Sequence, residues 1–164
     1  MNLTGKIKAF LSLDYLMKLM MLEAYILLGW ARIVKSQPFT KVVPILGESM
    51  GETVDTIEDS NVEILRRVSF SVNLISKYTF WESMCLVKAI AASKMLEKRG
   101  IESTLYLGTT KDETGKMIAH AWLRSGPYYI TGAEGMEKFT VVGRYAKNVR
   151  GTTKKPLTES SNLN

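Results

Sequence analysis

The hydrophobic pattern of this chain changes its period once, and that change constrains the fold more than any other feature. Up to Gly100 the apolar residues recur at helical spacing, whereas in 101–107 and 117–124 they alternate along the chain. Spacings of three and four residues are typical of amphipathic helices, and alternation is typical of strands. A chain of 164 residues is long enough to bury one core. The pattern therefore predicts an α+β fold in which helices precede an antiparallel sheet.

The first helix is predicted to begin at Ser12 and Asp14 and to stop at Ser36-Gln37-Pro38. It is apolar around most of its surface, so we expect it to be largely covered. Residues 38–55 contain two prolines and two glycines and are interpreted as an irregular connection.

Two further helices are predicted from their caps and apolar spacing. Ser60 and Glu63 form a capping-box pattern ahead of a helix over 61–77. A third helix over 82–99 carries the only cysteine, with Thr79 and Glu82, or alternatively Ser83, as its cap. It ends at Lys98-Arg99-Gly100.

Two strands and a return strand follow. Apolar and polar residues alternate from Ile101 to Leu107, which predicts the first strand, and a polar loop follows over 109–116. The second strand, from Met117 to Arg124, has Ile118, His120 and Trp122 on one face. Ser125-Gly126-Pro127 is a turn, and 128–132 returns antiparallel. If the turn has three residues, Arg124 pairs with Tyr128 and His120 lies opposite Gly132.

Charge and composition limit the partners. The net charge is +6, and 143–158 contains no acid, so the C-terminal part carries most of the excess. This fits either a solvated tail or contact with an acidic partner. There is no aromatic ladder or glycine-rich phosphate loop, which argues against nucleic-acid binding. The expected organisation is an N-terminal helical segment with its connection (1–55), a catalytic core (56–142) and a basic, flexible tail (143–164).

The counts of cysteine and histidine exclude several classes of site. One cysteine forbids an internal disulfide, and one cysteine with one histidine falls short of a usual four-ligand zinc site. Lys18 and Glu23 interrupt the apolar N-terminal stretch, and a membrane span needs about 20 mostly apolar residues. We therefore expect a reduced, cytoplasmic protein with no metal, no cofactor and no span.

Cys85 and His120 are the candidate reactive residues. Cys85 lies near the predicted start of a helix and His120 lies within a predicted strand. A helix N-terminus and a neighbouring imidazole both favour the thiolate, which is the attacking form of the thiol. Unpartnered amides of the first helical turn can also stabilise an oxyanion. The alternative is that both side chains are packing residues of the core.

Residues 81–110, with "WESMCLVKAI" and "EKRGI", and 119–132, with "AHAWLRSGPYYITG", closely resemble the B2 family of lasso-peptide biosynthesis. That family belongs to the transglutaminase-like, papain-related cysteine peptidases. Residues 22–39 also look like its N-terminal segment. The resemblance covers roughly 16–142.

This resemblance implies a nucleophile helix packed on an antiparallel sheet, with Cys85 as nucleophile and His120 as general base. It implies removal of the leader peptide from a ribosomally made lasso-peptide precursor through a thioester. The implied partners are the precursor, a small leader-binding B1 protein, and the ATP-using lasso cyclase as a further candidate. A non-catalytic peptide-binding module and an acyltransferase of the same fold are the alternatives.

The third catalytic residue departs from the family pattern. The family places an acid about twelve residues after the histidine, where this chain has Gly132. Glu134, two residues on, is a diagonal neighbour of His120 in the predicted hairpin and is the candidate orienting acid. An exposed structural glutamate, or orientation by a backbone carbonyl, an amide or water, are the alternatives. Trp81 and Trp122 are candidate walls of a substrate cleft, with core packing as the alternative.

Overall fold

A computed structural model describes residues 12–148, and these residues form one α+β unit. The helices are α1 (Tyr15–Lys35), α2 (Phe39–Leu46), α3 (Asp59–Ile75) and α4 (Cys85–Glu97); the strands are β1 (Glu48–Ser49), β2 (Ser103–Lys111), β3 (Met117–Ser125), β4 (Tyr128–Thr131) and β5 (Thr140–Lys147). A single 3-10 turn, Met136–Lys138, precedes β5. The predicted class and order of helices before sheet are confirmed.

The sheet is antiparallel throughout and has the strand order β1-β5-β2-β3-β4. Helix α4 packs on one face of the sheet, where it contacts β2, β3 and β4, and α3 contacts β4. Helix α1 packs on α3 and α4. The core lies between the helices and the sheet and includes Leu28, Val68, Met95, Leu105 and Leu123, each at most 1% exposed. The central strands therefore carry the apolar face that the helices cover.

Helix α1 begins where the sequence predicts, because the Asp14 side chain accepts a hydrogen bond from the amide of Met17 (3.0 Å). The expectation that α1 is largely covered is wrong. Its buried residues follow one stripe, since α3 and α4 contact only one side of the helix. Its other side exposes a row of large apolar residues: Tyr15, Leu16, Leu19, Leu22, Tyr25, Ile26 and Ile33.

The interpretation of 38–55 as irregular is also wrong, since α2 and β1 occupy part of it. Val42 and Leu46 lie one turn apart and are 3% and 2% exposed. Burial of this apolar pair holds a helical turn despite Pro44 inside it. Tertiary packing thus overrides the local effect of proline.

The predicted caps of the later helices are wrong. Helix α3 starts at Asp59, so Ser60 lies inside it, and the carboxylate of Glu63 bonds Arg67 Nε (2.9 Å). The start of α4 has no side-chain cap. Its first residue is Cys85, three positions later than predicted, which changes the environment of the thiol.

The boundaries expected between segments do not divide the described residues. α1 shares the core with α3 and α4. Residues 143–147, expected to begin the tail, continue strand β5, where Tyr145 is 7% exposed and Lys147 bonds Glu97 (2.7 Å). The rest of the predicted tail, 149–164, lies outside the described residues. Within 12–148, no helix combines the length and hydrophobicity of a membrane span.

Candidate active site

Cys85 is the first residue of α4, and its side chain is partly buried against the core. Met84, the residue before it, has an extended backbone, and its carbonyl accepts the first helical hydrogen bond, from Lys88 N (3.0 Å). The amides of Cys85, Leu86 and Val87 therefore have no partner within the helix. These amides can donate hydrogen bonds to an anion that forms at the positive end of the helix.

The loop before α4 is held by Thr79 instead of by a cap on the helix. The Thr79 hydroxyl lies 2.8 Å from Ser83 Oγ and 3.1 Å from the carbonyl oxygens of Ser76 and Trp81. Glu82, predicted to complete the cap, accepts a hydrogen bond from Lys35 Nζ on α1 (3.1 Å). Both predicted capping side chains are thus engaged elsewhere, which leaves the amides at Cys85 uncapped.

His120 lies on β3, with its ring between two aromatic side chains. Its centroid is 5.9 Å from that of Trp122 and 5.0 Å from that of Phe139. Its Nε2 lies 2.8 Å from the backbone oxygen of Gly132. A carbonyl oxygen can only accept, so Nε2 carries the proton and Nδ1 is left as the free acceptor. This is the protonation state that a general base needs at Nδ1.

Cys85 and His120 lie at the same level along the sheet. Ser93 Oγ on α4 is 3.4 Å from Ser103 Oγ at the start of β2, and α4 leads through a tight turn into that antiparallel strand. Cys85 precedes Ser93 by eight positions, a distance of about 12 Å along a helix. The same distance of about 12 Å, measured along β2 from Ser103 at about 3.4 Å per residue, ends near Leu107. β2 pairs Leu107 with Ala121 and Gly108 with His120.

The two side chains approach this level from different faces of the sheet. Ala121 and Leu123 belong to the core beneath α4, whereas the His120 ring stacks with Trp122 on the other face. No hydrogen bond joins the thiol and the ring within residues 12–148. β4 ends at Thr131, opposite Leu123, so β3 has no strand beyond it near His120. The edge of β3 beside His120 is therefore open. Catalytic contacts commonly tighten when substrate binds.

The hairpin register differs from the prediction and changes the surroundings of His120. Ser125 pairs with Tyr128 and Arg124 with Tyr129, so the turn has two residues and not three. The register shifts once, between Arg124 and Leu123, and Leu123 pairs with Thr131. Ile130 therefore has no partner on β3 and forms a bulge. As a result the chain after β4 passes His120 as an irregular segment, and Gly132 meets the ring through its backbone.

Glu134 is exposed, and within residues 12–148 it forms no hydrogen bond or ion pair with His120. The structure therefore brings Gly132, not Glu134, to the ring nitrogen. The orienting role of Glu134 stays a prediction, to be decided by mutation.

The two tryptophans have different surroundings. Trp81 precedes α4 instead of lying one helical turn from Cys85, and its ring packs against Tyr25 (5.1 Å) and Phe80 (4.5 Å). Its indole nitrogen is buried without a partner among the described residues. Trp122 is 5% exposed and stacks on Tyr106 (5.6 Å). It lines a groove of about 620 Å³ on the outer face of the sheet.

That groove has a charged wall built around Arg124, whose side chain is 9% exposed. The guanidinium bonds Asp55 (2.8 Å) and Glu52 (3.1 Å), and Glu52 also accepts from Tyr106 and Arg144. The hydrogen bond from Tyr106, with those from the two arginines, lowers the pKa of Glu52 despite its partial burial. Burial and the Glu52 charge raise the pKa of Tyr106, so the phenol keeps its proton. Glu52 is therefore an ionised acceptor shared by Tyr106 and the two arginines.

The comparisons with known proteins add the family. A family model described as "Transglutaminase-like superfamily" matches residues 24–144. The chain belongs to the transglutaminase-like superfamily. This confirms the transglutaminase-like α+β fold predicted from the sequence, with a helix packed on an antiparallel sheet. The transglutaminase-like superfamily includes cysteine peptidases and acyltransferases. No curated protein and no solved structure matched the chain.

Gly132 and Phe139 are the residues that sequence reasoning missed. Phe139 lies beyond the predicted sheet, and no spacing rule connects it to His120. The sequence predicts Gly132 opposite His120, but it predicts no role for the Gly132 backbone. The signal that could have found it is the glycine itself, since glycine is favoured where a backbone must approach another group closely.

Proposed function

We propose that this transglutaminase-like protein is a cysteine peptidase that removes the leader peptide from a lasso-peptide precursor. The observation that carries the proposal is the uncapped start of α4 at Cys85, which lies at about the level of His120 along the sheet. The proposed reaction requires the two side chains, which approach from different faces, to meet at the open edge of β3. The close resemblance of 81–110 and 119–132 to the B2 family supports the choice of substrate. A reducing, cytoplasmic location would keep the thiol free.

The proposed reaction uses each group in turn. Nδ1 of His120 takes the thiol proton, and the Cys85 sulfur attacks the carbonyl carbon at the leader–core junction. Amides at the start of α4 stabilise the oxyanion. The imidazolium then protonates the amine of the core peptide as the C–N bond breaks, leaving the leader bound through a thioester. His120 next takes a proton from water, which attacks the thioester and releases the leader acid.

The groove lined by Trp122 supports the binding of an extended peptide next to the base. Its aromatic and apolar lining, Tyr106, Trp122, Tyr129, Met136, Phe139 and Val141, can contact peptide side chains without defining a sequence. Trp122 thus keeps its proposed place in the cleft, as a wall beneath the ring. The contacts of Trp81 with α1 favour a packing role for it.

The test is cleavage of a precursor by the purified chain with the B1 partner, followed by mass spectrometry. We expect Cys85→Ala and His120→Ala each to lower turnover at least about a thousandfold, as is typical for a nucleophile and its base. Glu102→Gln, a conservative change far from the site, is the control. Undiminished cleavage by the Cys85 variant would refute the proposal, and transfer of the leader to an added amine would indicate the acyltransferase alternative.

A leader-binding partner is expected to accelerate cleavage. Ordering a disordered peptide costs several kcal/mol of interaction energy, and a presenting protein can supply it. The measurement compares cleavage rates with and without B1 at matched precursor concentration, with Cys85→Ala as the background. Equal rates would contradict this division of labour without affecting the assignment of Cys85.

A further inference from the structure

We propose that His120 is positioned by an uncharged cradle, formed by the backbone carbonyl of Gly132 and the rings of Trp122 and Phe139. This cradle replaces the carboxylate that the family places at position 132. The inference deepens the proposed function, since it concerns the same base. The geometry of the ring, however, can be measured without any substrate.

The hydrogen bond from Nε2 to the Gly132 oxygen is the first element of the cradle. At 2.8 Å it has the length of a good N–H···O bond. It fixes the tautomer, because a carbonyl accepts and cannot donate. Gly132 has no acidic side chain, but its backbone carbonyl therefore still orients the ring.

The backbone of Gly132 can lie there only because the residue is glycine. Its φ is +72°, in the region that residues with a Cβ rarely adopt, and an added Cβ would lie 2.4 Å from the Ala121 oxygen. A side chain at this position would push the segment away from β3. An aspartate substituted here would thus move the carbonyl that now holds the ring.

The aromatic rings form the second element. The Phe139 ring lies 5.0 Å from that of His120 at an angle of 35°, and Trp122 lies 5.9 Å away at 29°. Gly108, paired with His120 on β2, leaves the space for both. A Cβ at Gly108 would lie 2.9 Å from Phe139 Cβ and from atoms of the Trp122 ring. The two aromatic rings therefore flank the imidazole and limit how far it can turn.

The cradle does not use Glu134. That side chain is exposed and forms no bond to the ring in the part of the chain the structure describes. A carbonyl dipole and two aromatic faces supply a weaker field than a carboxylate, but they are fixed by backbone and packing. His120 is thus oriented rigidly without a buried negative charge.

The experiment is ¹⁵N NMR of the untagged full chain, where His120 is the only imidazole. We expect the neutral ring to carry its proton on Nε2, with slow exchange of that proton. Gly132→Ala should speed exchange of the Nε2 proton, because that proton loses its acceptor, and should lower kcat about a hundredfold, the order expected for a misplaced catalytic group. A wild-type ring protonated on Nδ1 would overturn the proposal.

Gly135→Ala is the matched control. Gly135 has a φ of +74°, close to that of Gly132, but an added Cβ there meets nothing within 4 Å. Both variants therefore carry the same backbone penalty, and only Gly132→Ala displaces the carbonyl. Equal exchange rates of the Nε2 proton in the two variants would overturn the proposal. If the exchange rates differ as expected but the wild-type chain cleaves no precursor, the cradle stands and the proposed peptidase function fails.

Discussion

The surroundings of Cys85 and of His120 are built differently. Cys85 belongs to a helix with eight buried residues, so the position of the thiol depends on the hydrophobic core. His120 is half-buried at an open strand edge and is held by one hydrogen bond and two ring contacts. Perturbing the first region should therefore cost stability, whereas perturbing the second should cost activity with little loss of stability.

Met95→Ala tests the Cys85 side and should give the largest stability effect. Met95 is fully buried on α4, and truncating a buried methionine typically costs about 2–5 kcal/mol. Met84→Ala is the matched control, since Met84 is 57% exposed and should change the free energy of unfolding by less than about 0.5 kcal/mol. Denaturant unfolding measures both. Similar losses for the two variants would show that α4 is not anchored by the core.

Phe139→Leu tests the His120 side. The change nearly conserves volume, so we expect a loss of less than about 1.5 kcal/mol in unfolding free energy. The change removes the aromatic face beside His120, so we expect kcat to fall about tenfold. A tenfold loss corresponds to about 1.4 kcal/mol, which is a typical energy for a contact between a cation and an aromatic ring. Turnover and unfolding are measured on the same preparation. Unchanged turnover would remove Phe139 from the cradle.

Glu23 links α1 to the end of α4, so the stability of this part of the fold should depend on pH. Burial raises the pKa of Glu23, but hydrogen bonds from Arg99 and Lys98 outweigh it and hold the pKa below 4.5. A lowered pKa in the folded chain means that the stabilisation is present above pH 4.5 and is lost as the pH falls through the folded value.

Thermal unfolding of wild type and Glu23→Gln, measured at about pH 7 and about pH 3, tests this sign. We expect wild type to be the more stable at neutral pH and the difference to shrink in acid. A difference in stability between wild type and Glu23→Gln that is larger at acid pH than at neutral pH would contradict the assignment of Glu23 as an ionised partner of Arg99 and Lys98.

Glu134→Gln should have the smallest effect. With Nε2 held by Gly132, we expect turnover within about twofold of that of Glu102→Gln, as for surface changes away from structural features. Kinetics of the two variants at one pH decide the point. A markedly larger loss for Glu134→Gln would establish the orienting acid predicted from the sequence and would weaken the proposed cradle.

The sequence predicts the regions that regular periodicity builds. The three long helices and the strands on either side of the 109–116 turn region follow from apolar spacing and from Gly100. The bulge at Ile130, the helix around Pro44 and the exposed side of α1 do not, because each depends on tertiary contacts. The partner of His120 could not be predicted for the same reason: a backbone oxygen is present at every residue, and only the irregular chain after β4 selects that of Gly132.

The most direct test of the central claim is intact-mass spectrometry of the chain mixed with precursor and B1 and quenched in acid within the first turnover. A thioester intermediate predicts a transient adduct on Cys85 with the mass of the leader less one water, which disappears as free leader and core peptide accumulate. It also predicts no adduct and uncleaved precursor with Cys85→Ala. Free leader produced by Cys85→Ala at the wild-type rate would contradict the account.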